Sequence, residues 1–351
     1  MRVRGLAAGL AIAVATSCSA HATEESLDSP AERAAARGDE PATSTTSTTI
    51  AASTAPPTTT PSATVRPPLG LASLAELPSK RPSVIVTPTG VVLPVLAVED
   101  DGRLRVRTVC GIESHYAGPG RRYDRVHVVL DPGHGGSDPG AVQNGIRESD
   151  VNLDVAQRAR AHLEREGLDV VLTREFDYYV PFVVRGELAL NSAAKLLISI
   201  HHNSGGASLA SDPGTEVFYQ QLDENSRRLA GLLWEDVTNS LRVHPIQWYS
   251  AAGAGAMFRE GRTGPDFYGV LRRTTGVPAA LLEIAYLSNP REAALVATDA
   301  FREDSAVAIA RAVTRYFTTD DPGAGFSAPR SAGPPTTPTG GTSGCVEPPY
   351  E

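Results

Sequence analysis

Cysteine is scarce in this chain of 351 residues, which has only Cys18, Cys110 and Cys345. No two of them are close enough in the sequence to form a metal-binding pair, so a cysteine-based metal site is not indicated. In an exported protein, Cys110 and Cys345 can form one disulfide. Two unpaired thiols are the alternative that the sequence leaves open.

Positive charge is also in short supply. The chain has 32 Lys and Arg residues against 40 Asp and Glu residues, a formal net charge of -8. No basic stripe interleaved with aromatic residues is present. This balance argues against nucleic acid or an anionic membrane surface as the main partner.

The sequence has no hydrophobic run long enough to span a membrane as a mature helix. The basic residues Arg2 and Arg4 precede an apolar run over residues 5–15, a pattern typical of an export signal. We place this signal at residues 1–22, with cleavage after Ala22 or before Cys18. Cleavage before Cys18 would give a lipid tether on that cysteine, although Ala15 stands where lipoprotein signals usually have leucine. The predicted location is outside the cytoplasmic membrane, in a periplasm-like space, the cell wall or the medium.

Large apolar residues are almost missing from residues 23–68, and the composition turns rich in Gly, Pro, Thr and Ser again near the C-terminus. Such segments cannot bury enough surface to offset the entropy of the chain. We therefore predict a disordered tether over residues 23–80 and a disordered tail over residues 320–351. The folded part is predicted to comprise a small β unit at residues 81–120 and a catalytic domain at residues 121–319.

Apolar periodicity in the middle of the chain predicts the fold. Three short apolar runs separated by turn signals, at residues 84–86, 91–96 and 104–109, indicate the small β unit. Strand and helix patterns then alternate. The predicted strands are residues 126–130, 169–173, 196–200, 215–219 and 279–284, and the predicted helices are residues 149–167, 182–194, 225–241 and 300–317. The expected class is α/β, a mixed twisted sheet covered by helices on both faces and preceded by the β-rich unit.

Three polar side chains stand where an apolar run or a glycine turn ends. His134 follows the first strand of the alternating part, Glu148 lies just before the first helix, and His201 ends the strand at residues 196–200. A hydrolytic zinc site needs three nitrogen or carboxylate ligands and one open position, which these residues satisfy. The alternatives are a local turn hydrogen bond for His134 and a helix-dipole interaction for Glu148.

Glu283 lies inside an otherwise apolar strand. Burying an unpaired carboxylate is costly, so this side chain is expected to face a site, and we assign it as a candidate base. A buried salt bridge with Arg185 or Arg272 is the alternative.

Four sequence blocks carry a family resemblance. They are residues 131–141, 148–153, 199–203 and 282–289. In this order, across about residues 126–317, they resemble the successive motifs of the zinc-dependent N-acetylmuramoyl-L-alanine amidases. The chain departs from the pattern at Ser149, where lysine is usual, at His202, where a small residue is more common, and at Ala285-Tyr286, which replaces Gly-Phe.

The resemblance implies a zinc ion bound by His134, Glu148 and His201, with Glu283 as the catalytic carboxylate. The bond implied is the amide between N-acetylmuramic acid and L-alanine in peptidoglycan or a muropeptide. His202 is an alternative ligand, but adjacent strand residues point to opposite faces, which favours His201.

Substrate contacts are expected from Asn203, Arg185 and Arg262. Arg185 and Asn191 fall where the family tends to have an arginine and an asparagine. Between residues 242 and 273, aromatic residues and Arg262 on a small-residue loop can line a groove for glycan and acidic peptide. An ordinary loop anchored by its aromatic residues is equally compatible with that pattern.

Two other functions remain as hypotheses at this point. The chain can be a catalytically silent peptidoglycan-binding or regulatory protein on the same fold, although all four chemical residues are present. It can also be a zinc peptidase or deacetylase with another substrate. A protein activator is a further partner to be considered.

Overall fold

The computed structural model describes residues 67–75, 82–204, 214–245, 254–333 and 341–351. The first element is a short helix, α1 (Leu71–Ala75), whose Leu74 is buried in the main hydrophobic core. The amide of Gly70 also donates a 2.7 Å hydrogen bond to the carbonyl of Phe317. The predicted tether over residues 23–80 is therefore wrong for residues 67–75, because this segment has an apolar anchor of its own.

The predicted β-rich unit is present as a five-stranded antiparallel sheet. Its strands are β1 (Val84–Val86), β2 (Val92–Val98), β3 (Leu104–Arg107), β4 (Glu113–Tyr116) and β5 (Arg121–Tyr123), in the order β4-β3-β2-β1-β5. The sequence did not predict β4 and β5, because most of their side chains are polar and exposed. The strand β5 pairs with β1, so it belongs to this sheet although it follows residue 120.

A six-stranded mixed sheet forms the centre of the molecule. It consists of β6 (Val128–Pro132), β9 (Val170–Leu172), β10 (Leu196–Asn203), β11 (Glu216–Tyr219), β12 (Gly255–Met257) and β13 (Ala279–Tyr286). The order is β12-β11-β13-β10-β6-β9, with β11 antiparallel to β13 and the other pairs parallel. A small hairpin, β7 (Val142–Gln143) and β8 (Ile146–Arg147), lies between β6 and the next helix.

Helices cover both faces of this sheet, which confirms the predicted fold class. One face packs against α2 (Glu148–Arg165), α4 (Glu224–Leu241) and α7 (Asp299–Thr318), and the short α6 (Pro290–Val296) joins that cluster. The other face packs against α3 (Phe182–Asn191), α5 (Gly269–Arg273) and residues of β1 and β2. Alternate residues of each strand enter the two clusters, as the pleat of a strand requires.

The first long helix begins one residue earlier than predicted. Glu148 is the first residue of α2, and Arg147 at the N-cap position makes no side-chain capping bond. Two carboxylates in the first turn, Glu148 and Asp150, complement the positive end of the helix dipole instead. The candidate metal ligand Glu148 is therefore held on a helix rather than on the preceding loop.

The predicted disordered tail from residue 320 is wrong for residues 320–333 and 341–351. Phe326 packs against the main core, and residues 326 and 330 pair with residues 256 and 259 alongside β12. A disulfide joins Cys345 to Cys110, which confirms that alternative over two free thiols. The segment is anchored by a few apolar, cationic and cysteine side chains that its average composition does not reveal.

The export signal and Cys18 lie outside the described residues, so residues 1–22 stay a prediction. Within the part of the chain that the structure describes, no helix is long and apolar enough to cross a membrane.

Replacing Cys345 with serine should destabilise the fold, because the disulfide closes a loop of 235 residues in the unfolded chain. We expect the free energy of unfolding to fall by about 2–4 kcal/mol. Denaturant unfolding of the full chain measures this, with Cys18→Ser as the control. Equal stability of Cys345→Ser and the unmodified chain would show that the disulfide contributes nothing to stability.

Candidate active site

A sharp turn after β6 carries His134 to the carboxyl end of the sheet. The backbone of His134 has φ 62°, in the left-handed region that non-glycine residues rarely adopt. A Cβ atom at Gly133 would collide with the imidazole of His201, so only glycine fits there. This close approach brings the two histidine rings to 4.9 Å between centroids.

A buried ion pair holds this turn in place. The guanidinium of Arg185 donates hydrogen bonds to the Asp131 carboxylate at 2.6 Å, to the Pro132 carbonyl at 2.9 Å and to the His134 carbonyl at 2.8 Å. Its Nε atom donates to the Val180 carbonyl at 2.7 Å. The predicted substrate contact of Arg185 is therefore wrong, and so is its alternative salt bridge with Glu283. Arg185 is only 2% exposed, and its nitrogens are committed to positioning the turn.

Asp131 connects four elements around that pair. Its carboxylate accepts hydrogen bonds from the hydroxyls of Thr173 and Ser199, each at 2.6 Å, in addition to the bond from Arg185. Burial acts to raise the pKa of Asp131, but Arg185 and the two hydroxyls outweigh it and hold the pKa below its ordinary value. The carboxylate is thus kept ionised at the base of the site.

Glu148 lies between the two histidines. Its Oε1 atom is 3.2 Å from Nε2 of His134 and 3.0 Å from Nδ1 of His201. Its Oε2 atom accepts a hydrogen bond of 2.9 Å from the amide of Ala141. The candidate ligand atoms of these three residues all lie within 4.8 Å of one another, so the structure brings the predicted metal ligands together.

The electrostatics of this cluster favour a positive charge at its centre. Burial alone would lower the pKa of His134, but hydrogen bonds to Asp138 and Glu148 raise it to about 9. Burial alone would raise the pKa of Glu148, but the two histidines lower it well below its ordinary value. A site that stabilises both an added proton and an ionised carboxylate is suited to a cation.

Asp138 supports His134 from the side away from the cluster. Its carboxylate lies 2.9 Å from Nδ1 of His134, which leaves Nε2 facing Glu148. A carboxylate behind a metal-binding histidine fixes the ring and increases its basicity. Asp138 lies within the first of the four family motifs, but its position along the chain does not indicate this role.

His202 points away from the cluster, toward α2. Its Nδ1 atom lies 2.8 Å from the Asn152 side-chain oxygen, and the ring is 1% exposed. Burial lowers the pKa of His202 to about 4, so the ring is neutral. The alternation argument for His201 over His202 agrees with this geometry. Asn152 also donates to Glu148 at 3.3 Å, a role that its position one turn along α2 from Glu148 could have suggested.

Glu283 lies beside His201, its partner in the β10–β13 register. Its Oε2 atom is buried and has no hydrogen-bond partner within the described part of the chain. Burial and the nearby charges of Glu148 and Glu216 raise the pKa of Glu283 well above its ordinary value. A buried, unpartnered carboxylate that takes up a proton easily suits general acid–base catalysis.

The C-terminal segment supplies a cation next to these carboxylates. Glu216 is the register partner of Glu283 on β11, and it is buried. Arg330 donates to both oxygens of Glu216, and Asn203 donates to Oε2 at 2.8 Å. Arg330 was missed because it lies in the tail that composition predicted to be disordered.

A cavity of about 520 Å³ opens in front of Glu283, and His134 and His201 also line it. Arg262 is exposed at the same cavity, whereas Asn203 is engaged with Glu216. Substrate contacts of Arg262 and Asn203 stay predictions. Of the aromatic residues predicted to line the groove, Trp248 and Tyr249 lie outside the described residues, and Phe258 packs against the main core.

Comparison with known proteins gives a consistent picture. The family model described as N-acetylmuramoyl-L-alanine amidase matches residues 128–315, more than half of the chain. The chain is 32% identical over 192 residues to the uncharacterised protein YqiI of Bacillus subtilis, covering 54% of this chain and 84% of that protein. It is 32% identical over 218 residues to the N-acetylmuramoyl-L-alanine amidase AmiA of Escherichia coli, covering 54% and 75%.

Among solved structures, the catalytic domain of the amidase CwlV from Bacillus (Paenibacillus) polymyxa is 31% identical, with a TM-score of 0.45. The match covers 54% of this chain and 97% of that one.

Changing Asp138 to asparagine should weaken metal binding without removing a ligand. We expect zinc affinity to fall about 10–100-fold, because the His134 ring loses its charged partner. Competition with a chromophoric chelator measures the affinity, and Asp101→Asn, in an exposed turn, is the matched control. Unchanged affinity in Asp138→Asn would contradict a supporting role.

Changing Asp131 to asparagine should destabilise the protein in a pH-dependent way. At pH 7 the free energy of unfolding should fall by about 3–5 kcal/mol, because Arg185 loses the partner of a buried ion pair. The folded pKa of Asp131 lies below that of the unfolded chain, so its contribution is complete above roughly pH 4 and is lost as the pH falls through the folded value.

Denaturant unfolding at several pH values should therefore show that the difference between the unmodified chain and Asp131→Asn shrinks on acidification. The exposed Asp100→Asn variant should show no such difference. A loss of stability in Asp131→Asn that does not change with pH would rule out the ionised carboxylate as its cause.

Proposed function

This chain belongs to the N-acetylmuramoyl-L-alanine amidase family, and from that premise we propose that it is a zinc-dependent hydrolase acting outside the cytoplasmic membrane. Its activity is hydrolysis of the amide bond between N-acetylmuramic acid and L-alanine in peptidoglycan. The zinc dependence, the roles of the site residues and the location outside the membrane are what we propose.

One observation carries the proposal. His134, Glu148 and His201 form a cluster of candidate ligands, and the same cavity contains the unpartnered carboxylate of Glu283. Two imidazoles and one carboxylate are a donor set that hydrolytic zinc sites use, with a further position left for water. The residues present therefore fit a zinc ion.

The protein groups have separate tasks in the proposed reaction. When bound, zinc supplies Lewis acidity and lowers the pKa of water at the site. Glu283 accepts the proton from the attacking water and returns it to the nitrogen of the departing L-alanine. Its Oε2 atom is free to do so, because no other group described in the structure holds it. Asp138 and Arg185 keep His134 in place while this happens.

The proposed location rests on two independent features. The basic and apolar pattern of residues 1–22 is typical of an export signal. The disulfide between Cys110 and Cys345 is of a kind that forms and persists in oxidising compartments outside the cytoplasm. A lipid tether at Cys18 and a protein activator stay predictions.

Product analysis tests the catalytic assignment. Purified peptidoglycan is incubated with the zinc-loaded full chain, and the products are identified by mass spectrometry. We expect release of intact stem peptides that begin at L-alanine. In Glu283→Gln the rate should fall about 10²–10⁴-fold with zinc affinity retained, because the acid–base group is lost while the ligands remain.

Glu113→Gln, on an exposed strand of the small sheet, is the control and should keep full activity. Cleavage at another bond would favour the peptidase or deacetylase hypothesis. An inactive protein that binds peptidoglycan but not zinc would favour the silent wall-binding hypothesis, and an inactive protein that binds zinc would indicate an enzyme that needs an activator or another substrate.

A further inference from the structure

One wall of the active-site cavity is cationic. Arg262, Arg272 and Arg273 line the same cavity of about 520 Å³ as His134, His201 and Glu283. Arg272 and Arg273 end the helix α5, and Arg262 lies on the loop before it. One cavity is therefore lined by two candidate metal ligands, by Glu283 and by three exposed arginines, which we call its cationic rim.

These guanidinium groups are anchored to the backbone rather than to carboxylates. Arg272 donates to the Asp266 carbonyl at 2.9 Å, and Arg273 donates to the Gly269 carbonyl at 3.2 Å. Arg262 donates to the carbonyl of Gly333 in the C-terminal segment. Each contact leaves other N–H groups of the same side chain free for a ligand.

In the described part of the chain, none of the three arginines forms a salt bridge with a carboxylate, unlike many other arginines of the protein. The Asp266 carboxylate, which acts on the pKa of Arg272, instead accepts a 2.7 Å hydrogen bond from the amide of Gln221. Burial and the charge of Arg273 lower the pKa of Arg272. The rim thus brings together cations that have no carboxylate partner among the described residues, and this local positive charge favours binding of an external anion although the chain as a whole is acidic.

We propose that Arg262, Arg272 and Arg273 form a subsite for carboxylates on the peptide part of the substrate. This inference rests on the proposed function, because the subsite shares a cavity with the catalytic groups. Guanidinium groups bind carboxylates through paired N–H donors, and these arginines keep such donors available. The glycan is rich in hydroxyls and amides, whereas stem peptides contain acidic residues, so the peptide is the part that a cationic rim selects.

The subsite makes the enzyme sensitive to the chemical form of the stem peptide. A peptide with D-isoglutamate after L-alanine offers a free carboxylate near the scissile bond, and one with D-isoglutamine offers a neutral amide of nearly the same shape. The acid form should be the better substrate, because the amide cannot compensate the arginine charges.

The test compares matched muramoyl peptides that differ only in this group, using the zinc-loaded full chain. A third substrate, amidated only at the peptide C-terminus, distinguishes the side carboxylate from the terminal one. We expect kcat/KM for the acid to exceed that for the amide by at least about tenfold, mainly through KM. The double variant Arg272→Gln/Arg273→Gln should bring this ratio close to one, and Arg262→Gln should lower it.

Three controls separate recognition from folding. Arg122→Gln, exposed in the small sheet, should keep the ratio of the unmodified chain. The double variant Arg272→Lys/Arg273→Lys, which retains both charges, should keep most of the preference. Thermal unfolding of each variant shows whether the fold is intact.

A ratio near one in the unmodified chain for all three substrates, or an unchanged ratio in Arg272→Gln/Arg273→Gln, overturns the proposal. If the zinc-loaded chain hydrolyses none of the substrates, the proposed function fails. The subsite is then tested by calorimetry, which measures the binding of the dipeptides themselves. In that case tighter binding of L-alanyl-D-isoglutamate than of L-alanyl-D-isoglutamine, lost in the double glutamine variant, supports the subsite. Equal binding of the two peptides overturns it.

Discussion

The buried ion pair between Asp131 and Arg185 is the interaction on which the geometry of the site depends. Asp131 joins β6 to the hydroxyls of Thr173 and Ser199, and Arg185 connects the same carboxylate to the carbonyl of His134. Because both charged groups are buried and hydrogen-bonded, removing either one would leave the other as an uncompensated buried charge. The turn that carries His134 is therefore held in an unusual backbone conformation by groups that take no part in the chemistry.

The pleat of the sheet then sorts the remaining side chains. His201, Glu283 and Glu216 are register partners on β10, β13 and β11, so they lie in a row on one face. The His202 ring lies on the opposite face, against the Asn152 side chain, and the backbone amide of His202 donates a hydrogen bond to Glu148. Two of these three side chains are carboxylates. The negative charge of Glu216 is compensated by Arg330, which lies far along the chain in the C-terminal segment.

Much of the fold was accessible from periodicity. Five strands and the four longest helices of the α/β domain were predicted to within a few residues, because apolar residues there recur at two or near 3.6 residues. The shorter elements β7, β8, β12, α5 and α6 were not predicted. The polar strands β4 and β5 were missed because they have no such pattern. The helix α1 and the segment at residues 320–333 were assigned to disorder because composition averages over the few residues that anchor them, such as Leu74 and Phe326.

The reactive side chains, two histidines and two glutamates, were identifiable from their positions along the chain. Local rules are sufficient for this, because strand ends, glycine turns and a carboxylate in an apolar run are all visible along the chain. Only the tertiary structure decided the roles of Arg185, Arg330 and the arginines on the cavity rim. A guanidinium group acts through the partner it meets, and Asp131 and Glu216, the partners of Arg185 and Arg330, are separated from them by 54 and 114 residues of sequence. The fold alone therefore decides whether an arginine is paired in the interior or left unpaired beside the active site.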